Sequence, residues 1–178
     1  KIEPDPRKIL GMTNEEILST FYESIIFKKC QYGWQFKENL SFYKTKILNF
    51  DLMDAKNGKI LLMKGSKVNQ KSINEIKKKN ISQLAISNDS LLGHYLSSDV
   101  INEKTGKIYF EAGYEIDDVF IDFIETNQLS KIDILKVDNI EIGSFIRNSL
   151  QLDKARSREE ALFEVFKILR PGEPPTIE

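Results

Sequence analysis

The 178-residue sequence has one Cys, one His, one Trp and five Pro, and 26 basic residues stand against 27 acidic ones. A lone Cys30 excludes an internal disulfide, and with a single His94 it excludes the usual thiolate and imidazole zinc sites. A net charge of −1 excludes a dominant basic surface, so any contact with nucleic acid has to come from a local patch. No apolar run approaches the ~20 residues needed to span a bilayer. No secretory leader is visible, which leads us to expect a cytoplasmic chain without membrane contact. No G-x-x-x-x-G-K-[ST] or G-x-G-x-x-G string occurs, so no nucleotide loop is expected. The chain starts at Lys1 rather than Met and stops just after Pro174-Pro175, which reads as a piece of something longer.

What is present is helix punctuation and a repeat. Thr13-Asn14-Glu15-Glu16 has the form of a capping box, in which two side chains satisfy each other's orphan backbone N–H groups. Ile17, Leu18, Phe21, Tyr22 and Ile25 follow at helical spacing, predicting one apolar face. Gly33-Trp34 suggests a short strand pair after that helix. Ser157-Arg158-Glu159-Glu160 is a second capping box, and Leu162, Val165, Phe166 and Leu169 form the stripe of the helix behind it. Pro171-Gly172 ends that helix.

Residues 52–86 align with residues 100–134 at a shift of 48, with nine identities in 35 positions. Lys56/Lys104, Gly58/Gly106, Lys59/Lys107 and Gly65/Gly113 mark turns whose Gly residues supply positive φ. Each copy reads as a hairpin, a short helix (about 70–79 and 117–126) and a final strand. Ile73 and Ile76, and Phe120, Phe123 and Ile124, are the expected buried helix positions. One copy alone buries too little, so the two are expected to pack together.

The string Arg170-Pro171-Gly172-Glu173-Pro174-Pro175-Thr176, with the helix before it, resembles a signature in the lobe of the bacterial DNA-directed RNA polymerase beta subunit. The segment 15–22 resembles the helix on the other side of that lobe. Residues 93–100 and 105–113 resemble an insertion carried by proteobacterial forms, and 143–150 the return from insertion to lobe. The wording is nearest to alphaproteobacterial versions. The resemblance covers residues 9–178; residues 1–8 depart from it, being mixed and Pro-rich.

The resemblance implies an α+β fold with a discontinuous, partial lobe over 1–40 and 144–178 and an inserted module over 41–143, holding copies 52–87 and 100–135. It implies a non-catalytic part of a nucleotidyltransferase, with the lobe lining the downstream DNA channel and the insertion offering a docking surface to transcription factors. The implied partners are the alpha, beta-prime, omega and sigma subunits, DNA in the assembled enzyme, and accessory factors. No cofactor is implied within this chain, because the family's Mg2+ is held on the beta-prime subunit.

The residues themselves leave few sites. Arg170 is the best phosphate candidate, since its guanidinium fits phosphate and Pro-Gly fixes the chain direction behind it; the plain alternative is a helix end. Lys77-Lys78-Lys79 is the clearest basic run and a candidate phosphate contact, but with a net charge near zero we prefer to read it as a solvated helix C-terminus. The carboxylate pairs Asp117-Asp118 and Glu159-Glu160 fall at helix N-termini, where negative charge is favoured without catalysis. His94 has no accompanying nucleophile, and Cys30 has only Lys28 and Lys29 beside it. The rival reading is a free-standing carrier module, because Lys59 and Lys107 stand just past tight turns; neither lies in the Asp-Lys-Ala or Met-Lys-Met setting that lipoyl and biotinyl carriers use.

Overall fold

The computed structural model describes residues 11–37, 46–79, 81, 83–102, 104–137, 142–155 and 157–174. The expectations placed on residues 1–10, on the boundary at 40–41 and on 175–176 lie outside them. Thr13 opens α1 (Asn14–Phe21): its side chain accepts from the Glu16 N–H, and its own N–H donates to the Glu16 carboxylate at 2.7 Å. The hairpin β1 (Ser24–Cys30) and β2 (Gly33–Phe36) follows. Then come β3 (Leu52–Asp54), β4 (Ile60–Leu62), α2 (Gln70–Lys78) and β5 (Leu84–Ile86). After a 3-10 turn at Asn88–Leu91 come β6 (Val100–Ile101), β7 (Ile108–Phe110), α3 (Asp118–Asn127) and β8 (Lys131–Leu135). Two helices, α4 (Phe145–Leu152) and α5 (Arg158–Leu169), end the described chain. Helices and antiparallel strands are mixed, so the fold is α+β, as expected.

The main sheet has the order β4-β3-β5-β2-β1-β8, and β6-β7 forms a separate ribbon. The hairpin β1–β2 therefore sits between the closing strands of the two copies. Ile134 and Ile132 pair with Ile25 and Phe27 on one side, while Ile86 and Leu84 pair with Trp34 and Phe36 on the other. Gly33 allows this approach: it has φ +127, and a Cβ there would run into the Ile86 carbonyl. Trp34 is fully buried, and its indole N–H donates to Asn88 Oδ1 at 3.0 Å. Ile73 and Ile76 of α2 and Phe120 and Ile124 of α3 share one core with Ile25, Phe27, Trp34 and Phe36.

The same hydrogen bonds occur twice, 48 residues apart. Asp54 N–H bonds Lys59 O, and Asn102 N–H bonds Lys107 O. Gly65 N–H bonds Leu48 O, and Gly113 N–H bonds Leu96 O. Asp51 accepts from Lys64 N–H and Asp99 from Ala112 N–H. Asn69 caps α2 through Ser72 N–H, and Asp117 caps α3 through Phe120 N–H. These bonds extend the correspondence upstream of residues 52 and 100, to Lys46/His94 and Leu48/Leu96, because Val68 N–H bonds Lys46 O where Ile116 N–H bonds His94 O.

A second, smaller core joins α1 to α4: Leu18, Tyr22, Ala112 and Leu135 are buried, with Tyr95, Ile146 and Leu150 against them. Tyr22 binds both ends of the junction, donating to Gly143 O at 3.1 Å and accepting from Ile146 N–H at 3.2 Å.

Three expectations about apolar faces need correction. Phe123, expected to be buried with Phe120 and Ile124, is only half-buried. Ile25 belongs to β1 rather than to the first helix, Phe21 is exposed and Ile17 half-buried, so of the expected stripe α1 buries Leu18 alone, with Tyr22 buried at its C-cap. The stripe on α5 buries nothing: Leu162, Val165 and Leu169 are exposed, and Phe166 is half-buried. Periodicity reports a face able to take a partner; it does not say that the partner lies within the same stretch of chain.

Candidate functional site

Arg170 caps the C-terminus of α5, with its N–H bonded to Phe166 O at 2.8 Å. Its guanidinium lies over the Phe166 ring at 5.9 Å and reaches Glu173 at 3.3 Å, while the side chain stays largely exposed. The cation thus lies past the helix end, between an aromatic ring and a carboxylate. An exposed Arg–Glu pair of this kind is worth little in water.

Lys77 and Lys78 fill the last turn of α2, and Lys79 is its C-cap. All three are exposed, as the helix dipole and hydration favour. They belong to the first copy, on a different element from Arg170. Among the described residues no hydrogen bond or ion pair joins the two groups.

His94 lies on a cleft of about 330 Å³ between the copies, lined also by Lys46, Phe36, Ile86, Ile134 and Lys136. Its Nδ1 stands 3.2 Å from Leu91 O. Burial holds the imidazole below its usual pKa, against the opposing effect of the Leu91 and Leu92 backbone groups. The neutral ring is therefore a structural hydrogen-bonding group, occupying the position that Lys46 takes in the first copy.

Asp117 and Asp118 are helix-terminal residues. The Asp117 carboxylate accepts from the Phe120 N–H at 2.9 Å and from the Tyr114 hydroxyl at 2.8 Å. These bonds draw its pKa below the usual carboxylate value, the Phe120 N–H contributing most. Burial and then the Asp117 contact push the Tyr114 phenol up. Glu159 and Glu160 occupy the first turn of α5, where Ser157 accepts from the Glu160 N–H at 3.2 Å. Cys30 ends β1 opposite Gly33 and is half-buried. Lys59 and Lys107 follow the Gly58 and Gly106 turns on exposed positions, and Lys107 Nζ lies 6.0 Å above the Tyr109 ring. Among the described residues no group of three or more His, Cys, Asp or Glu is placed to hold a metal ion. No helix among them is long and apolar enough to cross a membrane.

Arg147 is the residue that sequence reasoning missed. It leaves α4 to donate through Nε to Gly113 O at 2.6 Å, stacks on the Tyr95 ring at 4.3 Å, and reaches Glu115 at 3.7 Å. Its side chain is 13% exposed. A planar, always-charged group is required for that combination of stacking and directed donation. Nothing in the local string 143–150 distinguishes Arg147 from a surface Arg, because Gly113, Tyr95 and Glu115 lie more than thirty residues upstream and only its bond to Asn148 is local.

No protein-family model matches the chain. The DNA-directed RNA polymerase subunit beta of Rhizobium leguminosarum bv. trifolii is 37% identical over 169 residues, covering 95% of this chain and 12% of that protein. The corresponding subunit of Caulobacter vibrioides matches with the same identity and coverage. That of Jannaschia sp. is 33% identical over 186 residues, covering 95% of this chain and 13% of its own length. The chain therefore spans about an eighth of the length of these curated relatives.

Proposed function

Because the chain is homologous along nearly all its length to one segment of DNA-directed RNA polymerase subunit beta, we propose that it serves DNA-templated RNA synthesis as a non-catalytic part of that subunit. The observation that carries this is identity of 37% sustained over 169 residues rather than confined to the Arg170–Glu173 turn. In this reading the chain works in the cytoplasm beside the alpha, beta-prime, omega and sigma subunits, and Mg2+ chemistry belongs to beta-prime. The paired helices α1 and α4, with α5, form the lobe beside downstream DNA. The duplicated unit between them is the insertion, turned toward accessory factors.

Arg170 is the side chain we assign to the DNA backbone. It is held past a helix end by Phe166 and Glu173, and loss of Glu173 contact is a small cost beside a charge-assisted phosphate bond. Lys77, Lys78 and Lys79 stand on the duplicated unit and are assigned to solvent. The test uses assembled polymerase carrying Arg170→Ala or the triple Lys77→Ala, Lys78→Ala, Lys79→Ala change. Arg170→Ala should shorten promoter-complex lifetime and flatten its salt dependence by roughly one phosphate contact. The triple change should leave both as they were. Unaltered lifetime for Arg170→Ala at every salt concentration would sink the assignment.

A further inference from the structure

The two copies carry the same turn, and among the described residues only one of those turns is covered. In the second copy Tyr95 bridges Glu115, and Gly113 closes the turn. Against this face lie α1 and α4: Leu18 packs where a Cβ on Gly113 would be 3.3 Å away, Arg147 stacks on Tyr95, and Ala112 is 1% exposed. In the first copy Ile47 bridges Lys67 in the same way, and Gly65 closes the same turn. Among the described residues nothing lies within 4 Å of a Cβ placed on Gly65. Ile47 is 69% exposed and Met63 beside the turn 66% exposed.

The chemistry of the bare face differs from the covered one in one respect that selects its occupant. Tyr95, Ala112 and Glu115 are replaced by Ile47, Lys64 and Lys67. The covered face presents a carboxylate, Glu115, to the cation Arg147 at 3.7 Å. On the bare face the counterpart of Glu115 is Lys67 and that of Ala112 is Lys64, both exposed. A large apolar side chain at the bridge and the glycine of the turn are kept, while one carboxylate gives way to an ammonium and a second Lys is added. Complementarity then asks for a helix with an apolar knob over Ile47 and Gly65 and carboxylates toward Lys64 and Lys67.

We propose that the Ile47–Gly65–Lys67 face is a docking site for an acidic amphipathic helix of another polypeptide. The proposal deepens, and rests on, the reading of the duplicated unit as a surface for protein factors. Such a helix would be held as α1 and α4 hold the second copy, by a side chain seated at the glycine and a charged neighbour across the bridge.

The probe is a fluorescent, helix-stabilised peptide with Leu residues at i, i+4 and i+7 and Glu residues flanking them, followed by anisotropy against the chain. Ile47→Ser, and separately Lys64→Glu with Lys67→Glu, should each weaken binding about tenfold. Glu115→Lys in the covered copy should not change it. A peptide with Lys in place of Glu should bind the unchanged chain poorly and recover on the Lys64→Glu, Lys67→Glu variant, which separates a surface effect from misfolding. Equal binding of both peptides, insensitivity to Ile47→Ser, or displacement of the acidic peptide by duplex DNA would overturn the proposal. None of these readouts needs polymerase activity, so failure here is distinguishable from failure of the polymerase reading.

Discussion

Phe27 and Phe36 meet at the centre of the main sheet, their ring centroids 4.9 Å apart with planes inclined by 39°. Each receives the closing strand of one copy, Phe27 that of β8 through Ile132 and Phe36 that of β5 through Leu84. Since 84 and 132 are equivalent positions, the two rings are where the copies are joined. Phe27→Ala or Phe36→Ala should each cost about 3–5 kcal/mol by urea denaturation. Because the rings touch, the double variant should lose about 1 kcal/mol or more less than the sum of the singles. Additive losses would mean that the copies are held together elsewhere.

The two helix caps give a pair of matched predictions. Asn69→Ala and Asp117→Ala should each cost about 1 kcal/mol at neutral pH. They should part company in acid. Asp117 has its folded pKa below the unfolded value of 3.8, so its contribution is fully present above that pH, begins to shrink below it and is lost as pH falls through the lower folded value. Asn69 does not titrate, and its contribution should persist. Thermal melts of both variants at pH 7 and pH 3 would show a cost that shrinks for Asp117→Ala alone.

His94 gives a pH effect at milder acidity. Its folded pKa lies below the unfolded value of 6.5, so the unfolded chain takes up the proton first. Stability should be full above pH 6.5 and should fall as pH drops through that value. His94→Gln keeps a side chain able to hydrogen-bond and should flatten the slope between neutrality and the onset of carboxylate titration. A slope unchanged in that variant would place the responsible group elsewhere.

Arg147 should behave as a clamp that Lys cannot replace. Arg147→Ala and Arg147→Lys both lose the Nε bond to Gly113 O and the stack on Tyr95. Amide exchange in α4 should therefore accelerate in both variants, while exchange in β1, β2 and β8 stays slow. Protection of α4 equal to the parent in the Lys variant would reduce Arg147 to a simple charge.

Local signals proved legible where the partner is close in sequence. Thr13 with Glu16, and the turns at Gly58 and Gly106, make bonds that span three to five residues, and the strings announce them. The repeat was readable because a hairpin, a cap and a helix face each demand a residue type, so Asn69 and Asp117 do the same work without being identical. What escaped is what depends on distant partners. The central place of β1–β2 between β5 and β8 follows from pairings across about fifty and a hundred residues, and no string encodes them. The exposed stripe of α5 and the clamp of Arg147 are missed for the same reason, one lacking a partner within the described residues and the other finding three far upstream.

The central claim concerns what the chain is part of, and it is tested most directly in cells. An antibody raised against the duplicated unit should recognise a polypeptide several times the mass of this chain, and the immunoprecipitate should incorporate ribonucleotides on added DNA template. A free polypeptide of about 20.6 kDa, precipitating without that activity, would contradict the account.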